Sequence, residues 1–299
     1  MRAISRDLYP FDGKYLDLGG VRMHYLDEGG GRPVLMVHGN PTWSFYYRNL
    51  VLGLRDKHRC IVPDHIGCGL SDKPGEDVYP YRLDRRIEDL ERLVSTLNPG
   101  TLDLIVHDWG GLIGLGWAVR HPELIRRIVV LNTAAFHLPE GKAVPWQLRL
   151  VRDTPLGVFL VRGFNLFARG AASAAVTTRK LPKDVRDAYC APYDSWADRI
   201  ATARFVQDIP LKPTDPGYRT ITDTAAGLGA FKNHPIMICW GEKDFVFDHF
   251  FREEFERIWP QAEVHSFPEA GHYVLEDAGE EILALTRHFL DYDTPSPEG

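Results

Sequence analysis

Five short apolar runs recur along the chain, at Pro33–Val37, Cys60–Pro63, Leu102–Val106, Ile128–Leu131 and Ile236–Trp240, and none of them alternates with polar positions. Such runs suit strands covered on both faces. The segments Arg85–Leu97, Leu112–Arg120, His249–Ile258 and Glu280–Leu290 have helical spacing instead. Strand and helix therefore take turns, which predicts a mostly parallel α/β sheet. Upstream, Tyr15–Asp27 alternates on either side of Gly19-Gly20, the pattern of a hairpin, and predicts an antiparallel sheet edge.

Between Asn132 and Pro235 the strand signal disappears for about a hundred residues, far more than an ordinary connection needs. Ala, Arg, Trp and Phe recur there at helical spacing, at Trp146–Val151, Gly157–Ala168 and Ser195–Phe205. Residues 135–215 are expected to form a helical cap, followed by an amphipathic return segment, with residues 1–134 and 216–299 as the core domain. The Pro295–Gly299 tail is expected to fray.

Composition removes several function classes. The 299 residues can bury a substantial core, and 44% hydrophobic with 25% charged residues is ordinary for a globular protein. A formal net charge of −6 offers no excess of cations to neutralise phosphates, so nucleic acid is not an expected partner. No run approaches a membrane span, and Met1–Asp7 has no apolar leader, so a cytoplasmic protein is expected. Cys60, Cys68, Cys190 and Cys239 are scattered without metal or redox spacing and receive no chemistry. No metal or cofactor is expected.

The most telling segment is Leu102–Leu112, a buried run that ends in His107-Asp108-Trp109-Gly110-Gly111. The two glycines permit a tight turn from strand to helix that displays residue 108 over the carboxyl end of the sheet. In α/β-hydrolases the residue so displayed is the nucleophile, usually a serine. Here it is Asp108, a carboxylate that needs no base to deprotonate it and whose attack on carbon gives an ester. The plainer alternative is that Asp108 only caps the following helix. Val37–Trp43 counts against that alternative: its turn can aim backbone amides at a developing anion, and Asn40 adds a side-chain amide. A loop at the same sheet end carries His272, singled out among twelve histidines by the chain order nucleophile, acid, histidine. Asp244, just past the run ending at Trp240, is the chosen acid to hold that imidazole, with Glu242 and Asp248 as competitors. The other strand end that could supply an acid carries Asn132.

Together, His38–Phe45, Pro63–Pro74, His107–Gly111 and Gly271-His272 resemble the haloalkane dehalogenases of the α/β-hydrolase superfamily, over roughly residues 11–291. The resemblance implies an α/β-hydrolase fold with an inserted helical cap, Asp108 as nucleophile, His272 as base and Asp244 as acid. It also implies that Asn40 and Trp109 bind the leaving anion, the pairing of the third dehalogenase subfamily. Within that subfamily Pro63–Pro74, Phe164–Ala171 and Tyr189–Trp196 are most similar to the β-lactone decarboxylases of bacterial long-chain olefin biosynthesis. A small hydrophobic substrate and a multi-enzyme assembly with other olefin-forming enzymes follow from that likeness.

The two activities share a first step. Attack on an sp³ carbon expels either halide or a carboxylate that stays tethered to the substrate, and the same donors suit both. They part afterwards, because a dehalogenase needs His272 to activate water and a decarboxylase hydrolyses nothing. An epoxide hydrolase would recruit tyrosines, of which Tyr189, Tyr193 and Tyr218 are available, but Asn40 and Trp109 favour an anion that needs no proton. A non-catalytic scaffold would usually lose part of the triad. Trp146, Phe159, Phe164, Phe167, Trp196 and Phe205 are expected partly as helix packing and partly as the lining of a hydrocarbon site. Arg149, Arg152, Arg162 and Arg169 are expected on solvated cap faces, where they could also meet an acidic partner.

Overall fold

Strands β1 (Lys14–Asp17) and β2 (Arg22–Glu28) form the expected hairpin, closed where Gly19 and Gly20 take φ of 92° and 93° and donate their amides to the Asp17 carboxylate. β3 (Arg32–Val37) leads through α1 (Arg48–Leu54) to β4 (His58–Pro63), then α2 (Leu83–Leu97), β5 (Leu102–Asp108), α3 (Trp109–Ala118) and β6 (Ile125–Thr133). After β6 come α4 (Trp146–Asp153), α5 (Pro155–Phe164), α6 (Leu166–Ala174), α7 (Lys183–Cys190) and α8 (Ile200–Gln207). The return segment is α9 (Tyr218–Gly227), and the chain closes with β7 (Ile236–Gly241), α10 (His249–Ile258), β8 (Glu263–Phe267), α11 (Val274–Asp277) and α12 (Gly279–Asp291). This computed structural model describes residues 4–291; residues 1–3 and the tail expected to fray lie outside the described part.

The eight strands form one sheet in the order β1-β2-β4-β3-β5-β6-β7-β8, antiparallel at β1–β2 and β2–β4 and parallel elsewhere. The unbroken apolar runs now have a cause. Successive strand residues point to opposite faces, and each face packs against its own helices. Leu35, Leu104, Val106 and Val130 join Ile87, Trp117 and Ile221 on one side. Val34, Met36, Ile105 and Val129 join Leu50, Ile282 and Leu290 on the other.

Two sequence expectations change. The helix expected over Gly157–Ala168 is two helices, because Asn165 adopts φ 55° and ψ 34° and its amide group donates to the Tyr193 carbonyl at 3.2 Å. The helix expected from Ser195 starts at Ile200. Ser195 and Asp198 close a local turn at 2.7 Å, and the Arg199 guanidinium donates to the carbonyls of Tyr193 and Asp194. Strand β8 has no continuous apolar run because it is the sheet edge, with only Phe267 buried.

A buried ion pair binds the helices after β6 to the carboxyl end of the sheet. Arg48 on α1 meets Glu276 on α11 at 2.6 and 3.1 Å, the Tyr189 hydroxyl on α7 donates to the same carboxylate, and Arg48 lies 4.1 Å from the Phe45 ring centre. Removing one partner strands the other charge without water. Glu276→Ala is therefore expected to lower stability by about 3–5 kcal/mol, read from the denaturant midpoint. An unchanged midpoint would show that the pair is not the tie described.

Candidate active site

β5 ends at Asp108 and α3 begins at the next residue, so the chain reverses within one peptide. Asp108 takes φ 53° and ψ −128° to do so, a conformation that costs a residue with a side chain about 1–3 kcal/mol. Its surroundings hold it there. The Thr133 hydroxyl donates to the Asp108 carbonyl. A Cβ at Gly110 would lie 1.9 Å from the Val37 carbonyl oxygen, and one at Gly111 would lie 2.0 Å from Thr133 Oγ1. Only glycine lets α3 approach so closely.

The carboxylate faces the mouth of this turn and takes no N-cap hydrogen bond from the second or third amide of α3, which counts against the plainer reading of Asp108 as a helix cap. The Asn40 backbone amide donates to Oδ1 at 2.5 Å, and the Trp109 amide also donates to the carboxylate. His272 Nε2 lies 3.5 Å from Oδ2. On the far side of the ring, His272 Nδ1 is 2.7 Å from Asp244 Oδ2. Asp244 in turn accepts the amides of Val246 and Phe247 at 2.8 and 3.1 Å, and the Asn132 amide group at 3.1 Å. Burial pushes the Asp108 carboxyl up to about 6, against the opposing pull of His272 and of the Trp109 and Asn40 amides. Burial alone would lower His272; the Asp244 charge and hydrogen bond, with Asp108 beyond, outweigh it and hold the imidazole above its usual range.

The competing acids are engaged elsewhere. Asp248 pairs with Lys142 at 2.6 Å and caps α10, and Glu242 lies 3.0 Å from Arg252. Asn132 braces Asp244 and donates as well to the Gly241 carbonyl, while its own oxygen accepts the Gly241 amide. Sequence reasoning missed His107, whose Nε2–H donates to the His272 carbonyl at 2.8 Å and whose ring centre is 4.7 Å from that of His272. The available signal was a histidine in an otherwise apolar run beside the displayed aspartate.

Asp108, Asn40, Trp109 and His272 open onto a cavity of about 390 Å³. Its wall is mainly apolar, with Leu148, Phe167 and Ala171 from the helices after β6 and Phe245, Val246 and Phe247 from the loop after β7. One amide hydrogen of Asn40 is committed to the Thr202 carbonyl at 3.1 Å; the side-chain amide carries two. The Trp109 indole packs against Phe205, 5.1 Å between ring centres. Of the six aromatic residues offered as packing or lining, Phe167 lines the cavity, Phe205 supports Trp109, and Trp146, Phe159, Phe164 and Trp196 face solvent. Tyr189, Tyr193 and Tyr218 are not in the cavity wall: Tyr189 donates to Glu276, Tyr193 to the Thr42 carbonyl, and Tyr218 stacks on His137.

The model of the α/β hydrolase fold family matches residues 32–279. The chain is 54% identical over 284 residues to a cis-3-alkyl-4-alkyloxetan-2-one decarboxylase of Shewanella oneidensis, covering 95% of this chain and 89% of the relative. It is 48% identical over 292 residues to a protein of the same name from Xanthomonas campestris, covering 95% and 97%. Among solved structures, the haloalkane dehalogenase DbeA from Bradyrhizobium elkanii superimposes with a TM-score of 0.83 at 25% identity, covering 94% of this chain and 98% of that one.

Proposed function

The chain belongs to the α/β-hydrolase family, and from that premise we propose that it is a β-lactone decarboxylase converting long-chain cis-3-alkyl-4-alkyloxetan-2-ones to cis-olefins and carbon dioxide. The observation that carries the reading is an aspartate at the strained turn, with Oδ1 tied to a backbone amide and Oδ2 left for the substrate, in a chain so similar to the two decarboxylases. Residues 135–215 act as the cap that completes the cavity over the core of residues 1–134 and 216–299.

In this mechanism Asp108 Oδ2 attacks the ring carbon that bears the lactone oxygen, and that carbon–oxygen bond breaks. The released carboxylate stays on the substrate, where the Asn40 side-chain amide and the Trp109 indole receive its charge. Inversion sets the Asp108 ester antiperiplanar to this carboxylate. Loss of carbon dioxide then supplies the electron pair of the new double bond and expels Asp108, which the Asn40 and Trp109 backbone amides stabilise as its charge returns. The ring substituents stay cis. No water and no proton is consumed, so His272, oriented by Asp244, serves to hold and polarise Asp108.

Hydrolytic dehalogenation is the second reading. It is favoured by His272 Nε2 standing beside Asp108 with Nδ1 committed to Asp244, as a water-activating base requires. Incubation with a cis-dialkyl β-lactone and, separately, a long 1-bromoalkane decides between them through kcat/KM for olefin and for halide release. The proposal expects the lactone to be favoured; faster halide release would overturn it.

A carboxylate nucleophile works only when ionised. With the Asp108 carboxyl at about 6, kcat/KM is expected to fall on the acid side with a midpoint near that value, reaching roughly a tenth of its plateau one pH unit below. A flat profile down to pH 5 would contradict a buried carboxylate as the attacking group. We place the reaction in the cytoplasm and within an assembly of olefin-forming enzymes; among the described residues no helix is long and apolar enough to cross a membrane.

A further inference from the structure

The outward faces of α5 and α6 are unusual for a protein surface. Leu156, Phe159 and Phe164 recur on one side of α5 and are 58%, 50% and 55% exposed. Phe159 contacts Phe164 and Trp196, at 5.7 and 6.1 Å between ring centres, and the Arg162 guanidinium lies over the Trp196 ring at 4.6 Å. Exposed apolar residues in such contact mark an interaction surface rather than scattered surface hydrophobes. The patch continues into the cavity: Leu166, two residues beyond Phe164, is 48% exposed and lines the cavity wall, as do exposed Leu138 and Phe245.

Charge narrows the occupant. Residues 141–180, which hold α4, α5 and α6, contain seven Lys and Arg against a single Asp, in a chain whose formal net charge is −6. Arg149 and Arg169 are exposed and have no carboxylate partner among the described residues. Lys142 is paired with Asp248, and Arg152 with Asp153 and Asp215, so the cationic surplus of these helices lies at side chains such as Arg149 and Arg169. Aromatic and aliphatic side chains interspersed with arginines on short amphipathic helices suit a shallow seat in an anionic interface.

We propose that α4–α6 dock on an anionic lipid surface, with the cavity mouth facing the bilayer so that long alkyl substrate and product pass between lipid and enzyme. The substrate half of this proposal rests on the long-chain reading above; the docking half does not. The mouth sits in the contact, and water-insoluble chains need not cross the aqueous phase. Arginines draw the surface in, and Phe159, Phe164 and Leu156 enter the headgroup boundary.

Vesicle flotation without substrate tests the docking alone, using equal phosphatidylglycerol and phosphatidylcholine against phosphatidylcholine alone. The full-length protein is expected to float with the anionic vesicles and to be released in about 1 M salt, where the screening length falls to about 3 Å. Arg149→Gln with Arg169→Gln, and separately Phe159→Ser with Phe164→Ser, are each expected to weaken partitioning at least about tenfold. Both pairs should leave the melting temperature and the turnover of a short, soluble β-lactone unchanged, since none of the four residues lines the cavity. Vesicle binding that is absent in the wild type, or undiminished in both folded variants, would overturn the proposal. So would a wild-type dimer that the Phe159/Phe164 pair dissolves while no vesicle binding occurs, since the patch would then seat a second copy. A vesicle result in either direction leaves the lactone assay free to succeed or fail by itself.

Discussion

Asp108→Asn is expected to lower olefin formation by at least about 10⁴-fold while the protein stays folded, because an amide cannot supply the oxygen nucleophile on which both steps depend. The substitution is well matched to the site. Asn tolerates positive φ, its oxygen can still accept the Asn40 amide, and its shape fits between Gly39 and His272. The stability change has the opposite sign from the activity change. Because burial raises the folded-state carboxyl from 3.8 to about 6, the ionised form is penalised on the order of 2–3 kcal/mol above that pH, and the penalty disappears as pH falls toward the unfolded value. A neutral Asn carries no such charge, so the melting temperature at pH 7 should hold or rise. Asp108→Ala supplies the control for any slow return of Asn to Asp. Turnover that persists in Asp108→Ala would remove this residue from the mechanism.

The second large effect concerns the anion set free in the first step. Trp109→Phe keeps an aromatic ring beside Phe205 and removes the pyrrole ring with its N–H; Asn40→Ala keeps the backbone amide on Asp108 and removes the side-chain donor. Each is expected to cost about 10²–10³ in kcat with little change in KM, as for other donors aimed at charge that develops in the transition state. The pair should cost more than either alone. A rise in KM at constant kcat in both variants would mean that these side chains only shape the cavity.

The sheet was legible because β3 to β7 are buried on both faces and leave unbroken apolar runs, and the turn at Asp108 because two adjacent glycines follow a charged strand end. The choice among Glu242, Asp244 and Asp248 was harder, since which carboxylate reaches His272 depends on how the loop after β7 folds back, and backbone amides of Val246 and Phe247 decide that. Asn132 registered in the sequence only as a missing acid, yet its amide group donates to Asp244, the acid of the proposed mechanism. The helices after β6 misled most. Helical spacing placed Phe159 and Phe164 on helices correctly but could not say which face meets the core, and a left-handed Asn165 breaks a helix that propensity alone continues.

The central claim is that Asp108 bonds to the ring carbon bearing the lactone oxygen, and a single turnover with that ring oxygen in heavy isotope tests it most directly. The account predicts that the heavy oxygen leaves entirely in carbon dioxide and that the peptide containing Asp108 keeps its ordinary mass. Heavy oxygen found in Asp108, with unlabelled ring oxygen positions in the released gas, would mean that the carboxylate attacks the lactone carbonyl instead.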